Sequence, residues 1–345
     1  MGGQVAVDVV GHFGGRYAIN RTAYEVACGL RDAGLLGSIH NLDEHWIEEY
    51  ADLQSLDAKS SGSVSSAYAL LFASPPYNIA GMYARRYGWG QTAIYMAPKG
   101  YGTAAGFPRA GRVFVPSDSC VDCFTETENV VVVPLGVSSV FADSADERIQ
   151  RIASRSQMPP RVLHLTTHYT SFLEVWKKVR GSGIATVHVP HELVKATVYE
   201  AADHGLTDSV VVESPEYGSR GLPDSKLVEL LDRADLLVAT SAEAFGTTTL
   251  AALVAGVPVL TPFDGSETYL DDFGGWLPIP CGEAPNDPVW AGAVARVLGV
   301  ALAPGARLRI CHRAQEKREV DRWLWPAVRN KWVEEVSQWL SETAA

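Results

Sequence analysis

The sequence predicts an α/β protein of two facing Rossmann-like halves, and three observations carry that expectation. Short apolar runs that read as buried strands alternate with stretches of helical spacing along most of the chain. Its 345 residues suffice for two domains, each with its own core. Asp235 to Glu267 reads as strand, turn, helix and strand, a right-handed parallel crossover.

Val5 to Val10 reads as the first strand, and Gly11-His12-Phe13-Gly14-Gly15-Arg16 as the loop after it. A glycine loop there lets backbone approach a phosphate or sugar. The following helix carries Ala23, Val26, Ala27 and Leu30 at helical spacing and ends at Gly34. Asp43 to Leu56 is acidic and helical or irregular, and 60–66 is a Ser/Gly-rich loop. Tyr68 to Phe72, Thr92 to Met96, Val113 to Ser117 and Val130 to Gly136 complete the strands of the first half. Asp143 to Pro160, charged and then bounded by proline, reads as a linker. In the second half Arg161 to Thr167, Ala185 to Val189 and Ser209 to Glu213 are strands, with helices at His191 to His204 and Pro223 to Ala234. A helix from Pro288 to Leu302 and basic helical segments follow. In the tail, Trp332, Val336 and Trp339 share one helical face.

The most informative stretch opens with Leu236-Leu237-Val238-Ala239, a buried-strand pattern ending in Thr240-Ser241. A turn carrying Glu243, Phe245 and Gly246 leads to a helix that starts near Thr247 and closes at Gly256, and Val257-Pro258-Val259-Leu260 begins the next strand. The N–H groups of Thr247 and Thr248 point out of the helix start, where donors and dipole together bind anions. Ligands of open parallel sheets lie beyond the carboxyl ends of the strands, where Glu243 and Gly246 fall. On pattern alone an ordinary crossover with a Thr-rich helix start fits as well.

These residues resemble the nucleotide-sugar-binding segment of family-four glycosyltransferases (glycosyl transferases group 1), retaining enzymes of the GT-B fold. Glu243-Ala244-Phe245-Gly246, Ala252, Gly256, Pro258 and Val259 fall in register with that family's pattern. So do the strand ending Val115-Pro116-Ser117 and the segment Val133-Pro134-Leu135-Gly136-Val137 with Phe141, although Ser138 replaces the usual Asp. The tail from Trp323-Leu324-Trp325-Pro326 to Leu340 resembles the family's final tryptophan-bearing helix, which crosses back to the first domain.

The resemblance implies a GT-B fold with an acceptor-side domain at 1–157, joined by helix 327–345, and a nucleotide-sugar-binding domain at 158–326. It implies transfer of a sugar from a nucleotide-sugar, most often a UDP- or GDP-sugar, with retention and with no metal or other cofactor. A donor phosphate oxygen then deprotonates the acceptor, so no protein base is needed. Glu243 would touch the sugar, with Phe245, Gly246, Thr247 and Thr248 at the phosphates and Thr167 and Tyr217 at the donor. Gly14, Gly15 and Arg16 would form the first-domain glycine loop, and Lys99, at a strand end, is a further candidate contact.

Two departures bear on chemistry. Ala251 stands where the family has the glutamate that holds the ribose, and the loop His168-Tyr169-Thr170-Ser171 lacks the Arg/Lys pair that neutralises the diphosphate. Lys177 and Lys178 lie on the helix beyond. Stabilising a leaving diphosphate is a large catalytic term, so His168, the helix start at Thr247 and Arg16 would have to serve. A lone histidine such as His168 is also commonly structural. The departures leave a catalytically degenerate binding subunit as an alternative.

Composition narrows the rest. There is no Gly-x-Ser-x-Gly elbow and no phosphate-binding Gly-x-x-x-x-Gly-Lys-Ser/Thr loop. Apolar runs fall short of a membrane span, the N-terminus lacks the build of a signal peptide, and the few scattered cysteines suit a reducing cytoplasm. Cys120 and Cys123 form one close pair without a second pair at zinc spacing. The net charge of −11 argues against general nucleic-acid binding. Yet from Ala58 to Ser117 there is no acid, while Lys59, Arg85, Arg86, Lys99, Arg109 and Arg112 are interleaved with aromatics. That window suits a polyanion or flat rings, such as a modified base in DNA, or else it is a solvated loop surface. A small or lipid-linked acceptor is the ordinary expectation.

Overall fold

The computed structural model describes residues 5–58, 66–72, 77–96, 110–124, 127–165, 169–179, 182–214, 221–240, 246–263, 268–280 and 288–344. Contacts divide the chain into two units, one of Met1–Gly136, Ser219–Gly221 and Asp321–Ala345, the other of Val137–Gly218 and Leu222–Val320.

Unit 1 runs β1 (Val7–Gly11), α1 (Ala18–Asp32), β2 (Leu36–Asn41), a 3₁₀ segment (Glu48–Leu56), β3 (Tyr68–Phe72), α2 (Tyr77–Tyr87), β4 (Thr92–Tyr95), β5 (Arg112–Val115), α3 (Asp118–Val121) and β6 (Val130–Val132). The strands form one parallel sheet in the order β2-β1-β3-β4-β5-β6. Chain direction across the sheet reverses between β1 and β3, so the loop after β1 lies at the position where such sheets bind ligands. β2 escaped the sequence reading because Leu36-Gly37-Ser38-Ile39-His40-Asn41 mixes polar and apolar residues without a clear period.

Asp8 is the one charged residue in β1, and it is wholly buried. It accepts the backbone N–H of Ser38 (2.9 Å) and of Ser66 (3.1 Å) and the hydroxyl of Tyr87 (2.8 Å), with His40 Nε2 at 3.5 Å. It therefore ties β1 to β2, to the start of β3 and to α2. Burial pushes its carboxyl up, but the hydrogen bonds from His40, Ser66, Tyr87 and Ser38 outweigh burial and hold it at about 2 instead of 3.8. A depressed folded value adds stability that is present above the unfolded value and lost as pH falls from about 4 through about 2, here about 2 kcal/mol. The melting temperature is expected to fall over that window, and Asp8→Asn to start lower and fall less steeply. An equally steep fall in the variant would assign the acid sensitivity to other carboxylates.

Unit 2 begins with a 3₁₀ turn (Ser139–Phe141). It continues through α4 (Ala145–Ser154), β7 (Arg161–Leu165), α5 (Tyr169–Lys178), β8 (Ile184–His188), α6 (His191–Asp203), β9 (Val210–Glu213) and α7 (Asp224–Arg233). Then come β10 (Leu236–Val238), α8 (Thr247–Val254), β11 (Val259–Phe263), a 3₁₀ segment (Thr268–Asp272), β12 (Trp276–Pro280), α9 (Pro288–Leu302) and α10 (Pro304–Glu316). Its parallel sheet has the order β12-β11-β10-β7-β8-β9, the doubly wound dinucleotide-fold order, with its switch between β7 and β10. Phe172, Trp176, Val187, Leu260, Val294 and Leu298 belong to its core. α8 stops because Gly256 takes φ 77°, donating to Leu253 O while Val257 donates to Ala252 O. A Cβ there would lie 2.7 Å from Ala145 O.

The segment read as a linker contains α4, which packs on α10 and buries Ala145, Ile149 and Ile152. Its exposed Asp146, Glu147 and Gln150 masked that period of four and three.

α11 (Trp325–Ala344) returns to unit 1, as expected. Trp332, Val336 and Trp339 are all buried, and the Trp332 ring packs against Phe72, Tyr95 and Phe114 at centroid distances of 5.5, 5.7 and 5.0 Å. Arg329 Nε donates to the buried Glu25 of α1 at 2.5 Å, and Arg112 pairs with Glu342.

Candidate functional site

In unit 2 the site is built where β10 ends and α8 begins. β10 is apolar on both faces because the parallel sheet is covered on both sides, and Leu236, Leu237 and Val238 are buried. Thr240, just past the strand, is 3% exposed, and its hydroxyl oxygen has no hydrogen-bond partner among the described residues. α8 starts from Gly246, with no side-chain cap and no acidic residue in its first turn. Leu250 N–H closes the first turn on Gly246 O at 2.8 Å, so the N–H groups of Thr247, Thr248 and Thr249 have no intrahelical acceptor. With the dipole's positive end, they form an anion-competent terminus. Glu243, Phe245, His168, Thr167, Tyr217 and Lys99 lie outside the described residues.

The sequence missed one partner here. Tyr269, on the 3₁₀ segment after β11, accepts the Gly246 N–H on its hydroxyl at 2.8 Å, so that amide is already engaged. Thr247 and Thr248 then carry the anion-facing donors. Lys177 and Lys178 occupy the last turn of α5, roughly 12 Å along the helix from its start, and Lys177 Nζ lies 3.3 Å from His204 Nδ1. They do not replace the absent Arg/Lys pair. At neighbouring strand ends, His188 is pushed to a lower pKa by burial, and Glu213 pairs with Arg233 at 3.2 Å.

In unit 1 the loop after β1 is anchored rather than open. Phe13 is fully buried and stacks on Trp46 at 4.8 Å, and its N–H donates to Asn41 Oδ1 at 3.1 Å. Gly14 N–H donates to Asp43 Oδ2 at 2.5 Å, and a Cβ on Gly14 would stand 2.8 Å from that oxygen. A side chain at this position would displace the Asp43 carboxylate from the Gly14 N–H. Gly15 is buried beside Asn20, which donates to Gly15 O at 3.3 Å, and Arg16 is paired with Glu49. Two cradle elements expected for a phosphate, the Gly14 amide and the Arg16 guanidinium, are thus engaged within unit 1.

The same Asp43 holds His12, with Nδ1 2.8 Å from Oδ1, and both side chains remain about 30% exposed. A proton on Nδ1 shared with Asp43 leaves the Nε2 lone pair outward, and Nε2 has no partner among the described residues. This oriented imidazole can take a proton from a substrate hydroxyl. Its two halves are 31 residues apart, and no local motif announces the pairing.

The basic window is partly spent on structure. Tyr83 and Tyr95 are buried, Tyr87 bonds Asp8, and Arg112 is paired. Arg85 and Arg86 are exposed, with Arg86 5.4 Å from the Tyr87 ring centre, while Lys59, Lys99 and Arg109 lie outside the described residues. No group of His, Cys, Asp and Glu among the described residues is arranged to hold a metal ion.

No protein-family model and no curated protein matches the chain. Among solved structures it is similar to a glycosyltransferase from Rickettsia africae ESF-5 (14% identity, TM-score 0.59) and to the lipopolysaccharide outer core galactosyltransferase WaaB (11%, 0.62). It is also similar to a trehalose-6-phosphate synthase (10%, 0.58), and each match covers 97% of this chain and 99% of the other. The chain has the GT-B fold of these glycosyltransferases, with two six-stranded parallel sheets and a C-terminal helix that returns to the first unit.

Proposed function

We propose that the protein transfers a sugar from a nucleotide-sugar to an acceptor hydroxyl. The observation that carries this reading is the start of α8, an acid-free helix terminus with outward N–H donors at the switch point of a dinucleotide-order sheet. The amides of Thr247 and Thr248 would bind the donor's diphosphate and stabilise charge as it leaves. The motif around Glu243 would meet the sugar. The donor is read as a UDP- or GDP-sugar, and no metal or other cofactor is invoked.

Retention is supported by the motif and by the likeness to a trehalose-6-phosphate synthase studied for glycosyl transfer with retention. The His12–Asp43 pair favours a second reading, in which a protein base activates the acceptor and the sugar configuration inverts. The product anomer, read by NMR, separates the two. Exposed Arg85 and Arg86 keep a DNA acceptor as a candidate. Such an acceptor should show binding that weakens steeply with salt, and Arg85→Glu/Arg86→Glu should flatten that slope.

The test is a melting and hydrolysis screen against UDP-, GDP-, ADP- and dTDP-sugars. Saturation by the right donor at about 100 Kd should raise the melting temperature by roughly 5–10 °C, with slow hydrolysis of that donor. Binding without turnover on any acceptor would favour the degenerate subunit. Absence of a shift with all four families would end the reading.

A further inference from the structure

Asp235, just ahead of β10 in unit 2, gathers more positive charge than it can neutralise. Arg151 and Arg155 from the C-terminal end of α4 and Arg307 from α10 all converge on it. Of these arginines the carboxylate hydrogen-bonds only one. Oδ1 accepts Arg151 Nη1 at 3.2 Å, while Oδ2 accepts the Arg161 N–H at 2.9 Å. Arg155 Nε and Arg307 Nη1 stand at 3.8 and 3.9 Å, inside Coulomb attraction but beyond a hydrogen bond.

The surroundings do not make up the difference. Asp232, the second acid of the cluster, pairs with Arg148, so four guanidinium groups face two carboxylates. Cys311, one turn along α10 from Arg307, stays an uncharged thiol because burial pushes it to about 11. Backbone carbonyls take some of the donors: Arg151 Nη2 donates to Ala234 O at 2.7 Å, and Arg307 Nη2 to Met158 O at 2.6 Å. Arg155 Nε, Arg307 Nε and Arg307 Nη1 remain buried with no hydrogen-bond partner among the described residues. Arg307 itself is 4% exposed. Charged donors withdrawn from water and left unbonded cost more than neutral ones, and like charges crowded in a part-buried site repel strongly.

We infer that this cluster binds one small inorganic anion, chloride or phosphate, held by Arg155 and Arg307 beside the Asp235 carboxylate. The ion offsets the excess positive charge and accepts N–H groups that the carboxylate does not reach. Arg155 keeps 23% of its side chain exposed, which gives the ion a path from solvent. The site is distinct from the one proposed for the donor, because Asp235 precedes β10 whereas the Thr247 and Thr248 amides lie beyond that strand's other end. Its occupancy acts on the stability of unit 2, tying α4 to α10.

The experiment follows melting of the full chain at one ionic strength in sodium gluconate, chloride and phosphate. A saturable rise of roughly 3–6 °C is expected in chloride or phosphate at about ten times the Kd, and the salt that produces it identifies the anion. Arg155→Gln should abolish the rise. Arg233→Gln, which removes an equal charge from the pair with Glu213 in the same unit, should keep it. On the parent chain the rise should add to any shift given by a saturating nucleoside diphosphate. A rise that the nucleoside diphosphate removes would place the ion at the start of α8 and overturn the inference. So would equal melting in all three salts, a rise that grows without saturating, or one that survives Arg155→Gln.

Discussion

On the inverting reading, His12→Ala is expected to lower turnover by roughly 10²–10⁴-fold, the range for loss of a positioned proton acceptor, with the donor-induced melting shift unchanged. This dissociation of binding from turnover follows from the division of labour. In the proposed reading the donor is held at the start of α8, while His12 sits on the loop after β1, paired with Asp43. Asp43→Asn should be less damaging. An amide can still accept one of the two hydrogen bonds that Asp43 takes from Gly14 N–H and the His12 ring, but it no longer fixes the imidazole tautomer. An alanine variant within about threefold of the parent would leave deprotonation to a donor phosphate oxygen, and with it the retaining course.

The largest stability effect is expected at Asp235. It is 2% exposed, and its side chain is fully covered. Oδ2 accepts Arg161 N–H at 2.9 Å, Arg151 donates to Oδ1 at 3.2 Å, and Arg155 and Arg307 approach to 3.8 and 3.9 Å. Burial lowers the pKa of Arg151 and Arg307, and the Asp235 carboxylate opposes that shift. Asp235→Ala would leave three guanidinium groups around an uncompensated void, a defect that costs about 3–5 kcal/mol. Melting of the variant should fall by roughly 6–20 °C, whereas Asp235→Asn should lose less. A fall below about 2 °C for the alanine variant would show that the arginines reach solvent when the carboxylate is gone.

Asp235 also shows how the sequence could be read correctly in place and incompletely in role. Ala234-Asp235 was legible as the opening of the central crossover. The structure makes the carboxylate a strap joining α4, the start of β7 and α10, partners that lie 72 or more residues away in sequence. The crossover itself was legible because local rules agree there: an apolar run makes β10, and Gly256 takes the positive φ that ends α8. Local rules disagree at Leu36–Asn41, where polar residues interrupt a strand held by its neighbours β1 and Asp8. The same limit hid His12–Asp43 and Gly246–Tyr269. Each is a pair of unremarkable residues whose chemistry exists only once distant strands are side by side.

The return of α11 to unit 1 has a consequence for synthesis. Glu25 waits for Arg329 across 304 residues, and the aromatic site between Phe72, Tyr95 and Phe114 is filled only by Trp332. At ribosomal rates of about 5–20 residues per second, the first sheet emerges well before the helix that completes it, and the whole of unit 2 is made in between. The nascent chain thus carries an unfinished aromatic cavity for roughly ten seconds or more. A stop codon before Trp325 would leave that cavity open permanently, making chaperone dependence and aggregation of the truncated chain the phenotype, whatever becomes of its donor site.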